Sequence, residues 1–83
     1  MEDIEILWNE DLQCGLEAVH YLFKEKIVFL DLMPQNSTDM NGTIKYCTKL
    51  FPDVVRIDVR SKLREPYVYF LDGGEWKVGR YAA

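Results

Sequence analysis

The groups in this chain that could do chemistry are few and scattered. Cys14 and Cys47 are its two thiols, His20 is its one imidazole, and Ser37 sits in the polar stretch "MPQNSTDM" at residues 33–40. The separation of the cysteines fits neither a CxxC redox pair nor a zinc knuckle. A serine nucleophile needs a base within hydrogen-bond reach and an acid behind it. Ser37 lacks the nucleophile-elbow pattern, and His20 belongs to a different predicted element. Asp31, Asp39 and Asp58 are too loosely spaced to read as a metal site, and capping or solvated roles fit them better. There is no phosphate-binding glycine loop, and Gly73-Gly74 reads as a turn. The expectation is no enzyme, no metal and no cofactor.

The elements that would carry these groups follow from hydrophobic periodicity. "IEILW", residues 4–8, reads as an opening strand. Leu12, Leu16, Val19, Leu22 and Phe23 recur at spacings of three and four, which predicts an amphipathic helix from Asn9 or Asp11 to about Lys24. Cys14 would sit near its start, where a helix dipole favours thiolate. "KIVFLDLM", residues 26–33, is a continuous apolar run of strand length, as expected of a central strand covered on both faces. Pro34 stops it. Ser37 or Thr38 can cap a second helix running to Phe51, on whose apolar stripe Met40, Ile44, Cys47 and Leu50 fall, and Pro52 ends it. That stripe makes Cys47 a small core residue rather than a reactive one. "DVVRIDV", residues 53–59, alternates as a third strand, and residues 66–81 read as a hairpin around Asp72-Gly73-Gly74. The predicted order is β-α-β-α-β-β-β, an α/β fold in one domain over residues 1–83. Its first three strands would be parallel, with one helix on each face of a mixed sheet of four to five strands.

That order and several positions resemble the thioredoxin-like fold family. With Asp31 at the family's buried aspartate, Ser37 and Met40 fall where the family has the two cysteines of its CxxC motif. Pro66 falls where it keeps a cis-proline before its hairpin. The resemblance covers about Lys26 to Arg80. It implies a stripped version, because only "RSKLRE" stands where a further helix is usual and Ala83 follows soon after the hairpin. It also implies a member without dithiol chemistry, since serine cannot supply the thiolate and methionine cannot resolve a mixed disulfide. Family members that have lost their cysteines act as adaptors, chaperone-like factors or inhibitors, and the small size would suit a viral or phage protein acting on a host factor.

Bulk properties point the same way. At 83 residues the chain makes one small domain, and such a chain buries only about 60% of its unfolded surface. The net charge of −4 argues against general nucleic-acid binding. Arg56, Arg60, Lys62 and Arg64 nevertheless cluster, leaving a weak RNA or phosphate site as an alternative, beside a redox role for Cys14 or Cys47. No run is long and apolar enough to span a membrane, and the acidic "MEDIEILWNED" start is unlike a secretory signal, so a cytoplasmic location is expected. On the predicted hairpin, Tyr67, Tyr69 and Leu71 share one face and Val68 and Phe70 the other, while Trp76 and Val78 alternate with Lys77, Gly79 and Tyr81. A sheet so rich in aromatics on both faces and short of helices should expose some of them, as interfaces do. A protein partner is therefore expected, with a homodimer as one form of it. The expected binding residues are Gln35, Asn36 and Ser37 of the loop, with Pro66, Tyr67, Tyr69, Trp76 and Tyr81.

Overall fold

The computed structural model describes residues 8–9, 12, 14–33, 39–61 and 64–80. Its strands are β1 (Trp8–Asn9), β2 (Cys14–Leu22), β3 (Ile27–Leu32), β4 (Arg56–Ser61), β5 (Arg64–Asp72) and β6 (Glu75–Arg80), and its helix is α1 (Met40–Leu50). Strands β2 to β6 form a five-stranded mixed sheet in chain order, which the two-residue β1 extends by pairing with the start of β2. Only β3 and β4 run parallel, joined by the α1 crossover; the remaining neighbours are antiparallel.

This layout corrects the sequence-based expectation of a thioredoxin-like sheet with a helix on each face. The segment expected to be the first helix is strand β2, so the chain has no first crossover, the first three strands are not parallel, and one face of the sheet carries no helix among the described residues. The reason lies in a bulge. Leu16 pairs with Leu32 but Ala18 with Asp31, so the register shifts by one residue there. Leu16, Val19 and Tyr21 all pack against the core. A bulge inside a strand therefore produced the three-residue gap that imitates a helix. The β-branched and aromatic Val19 and Tyr21 favour the strand, and Gly15 disfavours the helix.

The rest follows the expected pattern closely. Val28, Leu30 and Leu32 alternate as buried residues on β3 and are matched by Ile57 and Val59 on β4. Together with Leu12, Cys47, Val54 and Tyr69 they form the core, on the face that α1 covers. Full burial of such a side chain stabilises by about 1.5–3 kcal/mol, so this face holds the domain together. Asp39 precedes helix α1 at its N-cap, and its side chain makes no cap hydrogen bond. Thr43, buried in the first turn, donates its hydroxyl to the Asp39 carbonyl at 3.1 Å instead. At the other end the Phe51 amide donates to the Cys47 carbonyl at 2.8 Å, and Pro52 then prevents another turn. Phe51 stacks on Tyr21 with ring centroids 4.1 Å apart, and the Tyr21 hydroxyl donates to Asp53 at 2.7 Å. These contacts pin β2 to the end of the helix.

The opposite face carries the rows His20, Phe29, Asp58, Val68, Gly79 and Leu22, Ile27, Arg56, Phe70, Lys77, read across the ladders. The hairpin turn holds Gly73 and Gly74 at φ of 61° and 83°, the left-handed geometry a two-residue turn needs.

Candidate functional site: the groove between the helix start and the hairpin

Helix α1 packs Met40, Ile44 and Cys47 against the core of the sheet, while Val78 on the β5–β6 hairpin stays exposed. The space between is a groove of about 570 Å³ lined by Asp39, Met40, Glu65, Pro66, Tyr67, Tyr69, Val78, Gly79 and Arg80. Its floor follows from pairing. Tyr69 is opposite Val78 and Tyr67 opposite Arg80, which puts all four side chains on the helix-bearing face. The two tyrosine rings meet edge to face, with centroids 5.3 Å apart and planes at 72°.

Proline shapes one end. Val59 pairs with Tyr67 but Ser61 pairs with Arg64, so Glu65 and Pro66 together stand opposite Arg60 alone. A proline cannot donate to a ladder, and a bulge is one of the few places a strand accepts it. Among the described residues the pairing with β6 ends at Tyr67–Arg80. The result is a kinked strand end that presents exposed Glu65 and Pro66 to the groove. No peptide bond among the described residues is cis. The Glu65–Pro66 bond is therefore trans, unlike the cis-proline the family resemblance implies.

Of the residues expected to bind, the structure brings Pro66, Tyr67 and Tyr69 together in this groove. Trp76 is on the same face, opposite Leu71, but is half-buried against the core and does not line it. Gln35, Asn36, Ser37 and Tyr81 lie outside the described residues. Asp39 and Met40 close the 33–40 stretch whose loop was expected to form part of the recognition surface, whereas Glu65, Val78 and Arg80 were not anticipated. The signal for Val78 and Arg80 was present, because a two-residue turn at Gly73–Gly74 dictates that 69 faces 78 and 67 faces 80.

Among the described residues the lining offers carboxylates, a guanidinium, two phenols and apolar walls, with no cysteine, serine or histidine. Cys47 is fully buried in the core, and burial pushes its thiol up to about 12, which leaves almost no thiolate at neutral pH. Cys14 begins strand β2 rather than a helix, so the dipole expected to activate it is missing. His20 is exposed on the helix-free face. Asp31 and Asp58 are on that face too, whereas Asp39 lies at the groove, and no group of ligands suited to a metal occurs among the described residues.

The basic segment is also accounted for in part. Arg56 binds the buried Asp58 through Nε at 2.7 Å, and Arg60 binds Asp31 at 3.2 Å. Both guanidinium groups are therefore matched by carboxylates on the helix-free face. Lys62 lies outside the described residues, and Arg64 begins β5. No helix among the described residues is long and apolar enough to cross a membrane. No protein-family model, curated protein or solved structure matches the chain.

Proposed function

We propose that this domain is a non-enzymatic protein-binding module, an adaptor or inhibitor, that takes a short segment of a partner polypeptide across the groove between the start of α1 and the β5–β6 hairpin. The carrying observation is the groove itself: apolar and aromatic walls from Met40, Pro66, Tyr67, Tyr69 and Val78, with Asp39 and Glu65 exposed at its rim. Small-molecule sites bury about 70–90% of their ligand. A shallow trough open to solvent favours a chain that passes over it, with one side chain as the anchor. Tyrosine, methionine and arginine are residue types that interfaces favour. Among the described lining residues the two rim carboxylates outnumber the guanidinium of Arg80, and the whole chain carries −4. A segment with an apolar or aromatic anchor beside a lysine or arginine fits best, its cation shared between the carboxylates and the tyrosine faces.

Selection from a displayed random-peptide library tests this. Binders should converge on an aromatic or aliphatic residue next to a basic one, and their amide-shift footprint should centre on Met40, Tyr67, Tyr69 and Val78. Tyr67→Ala, and separately the surface variant Glu65→Lys, should each weaken binding roughly tenfold or more, as loss of an interface anchor does. A library yielding no binders, or binders whose footprint falls on Phe29 and Phe70 instead, would overturn the reading.

A further inference from the structure

Strand β6 is an edge of the sheet, and among the described residues it pairs only with β5. Its turn determines which backbone groups are used. Asp72 and Glu75 flank the two-residue Gly73–Gly74 turn and so exchange both hydrogen bonds, and the alternation makes Phe70–Lys77 and Val68–Gly79 the next bonded pairs. The amides and carbonyls of Trp76, Val78 and Arg80 then point away from β5. The same alternation turns the Leu71 amide away from β6, and it does donate to the Val55 carbonyl on the other side at 3.0 Å.

Edges of this kind are usually blunted by a proline, a bulge or a charge pointing inward. The β5–β6 ladder runs from Asp72–Glu75 to Tyr67–Arg80 without a register shift, and β6 contains no proline. Its Lys77 is tied to Asp72 at 2.9 Å on the helix-free face. Val78 is 60% exposed, although it stands in a strand beside Tyr69.

We propose that a second copy of this chain pairs antiparallel with β6 about a two-fold axis at Val78, joining the two sheets into one. Antiparallel self-pairing keeps each face of the sheet on the same side, so one residue of the strand must meet itself on the axis. An axis at Glu75, Lys77 or Arg80 would set two like charges directly opposite each other, which destabilises cross-strand pairs. An axis at Trp76 would set Val78 opposite Gly74 of the turn and carry Arg80 past it, and an axis at Gly79 would set Trp76 opposite a position beyond the described residues. The axis at Val78 pairs all three within the described residues. It also lays Trp76 against Arg80 of the second copy on the helix-bearing face, a cation–π arrangement, and the stem of Lys77 over Gly79 of the second copy. Val78 is covered by its own counterpart. Each groove then gains Trp76 of the other copy beside Arg80, so the second copy contributes a wall to the site. This inference stands on the β6 edge and holds whatever occupies the groove.

Sedimentation equilibrium from micromolar to millimolar protein, under reducing conditions, is the test. The natural chain should self-associate, and Val78→Lys or Val78→Glu should each weaken association roughly tenfold or more by placing like charges on the axis. Both substitutions fall on an exposed side chain, and circular dichroism verifies that the fold is kept. An equimolar mixture of the two should recover the dimer, since lysine then meets glutamate. A monomer across the whole range, a dimer indifferent to both variants, or no recovery on mixing would overturn the proposal.

Discussion

The two ends of the sheet are built in opposite ways. At the β2 end the strand is bulged at residues 16–18, its start is paired with β1, and Tyr21 is tied to the helix terminus by the Phe51 stack and the Asp53 hydrogen bond. At the β6 end the ladder is regular, the start of the helix only borders the groove, and Val78 stays exposed. The one helix among the described residues cannot cover the whole sheet. Within those residues the cover is concentrated at one end, and the groove lies at the other. Stability and recognition are therefore expected to separate along the sheet.

The largest effect should come from the closed end. Phe51→Ala removes the stack on Tyr21 and a side chain packed against the core. It should cost about 3 kcal/mol in a urea titration at concentrations where the chain is monomeric. Val78→Ala, at the open end, should stay within about 0.5 kcal/mol under the same conditions. Equal costs at both sites would break the comparison.

The two turns sharpen it with smaller effects. Gly74 at the open end has φ of 83° and open space where a Cβ would go, so Gly74→Ala is strained by backbone alone. The expected loss is about 1–2 kcal/mol, read from the same titrations. At the closed end Lys26 adopts φ of 60°, a geometry lysine accepts only with strain. Lys26→Gly should therefore gain up to about 1 kcal/mol. A loss on that substitution would mean that the Lys26 side chain contributes more than its backbone costs.

Much of this was legible in the residues, and the failures have physical causes. The apolar run of β3, the stripe of α1 bounded by Pro52 and the glycine turn each agree with a single local rule, and each element appeared within a few residues of its expected place. β2 did not, because its bulge breaks strict alternation, and nothing local to Leu16, Glu17 and Ala18 announces a bulge. That one strand changed the fold class. For the site, aromatic alternation identified Tyr67 and Tyr69, and the family resemblance pointed to Pro66, which turned out trans and seated in a bulge. Met40 and Arg80 reach the groove only through the crossover and the hairpin register together, so a reading confined to one segment could not join them.

The order of the sheet has one more consequence, for how the chain folds. Every strand lies beside its neighbour in sequence, so most pairing can form as local hairpins with little loop entropy to overcome. The exception is β3 with β4, whose parallel contact must wait for the whole α1 crossover to close. We expect the barrier to folding to sit there. In stopped-flow experiments, Leu30→Ala and Ile57→Val should mainly slow refolding, whereas changes in the β5–β6 turn should mainly speed unfolding. The reverse pattern would move the nucleus into the hairpin. With the nucleus at β3–α1–β4, the hairpin that forms the groove is free to open and re-form while the centre of the domain stays intact.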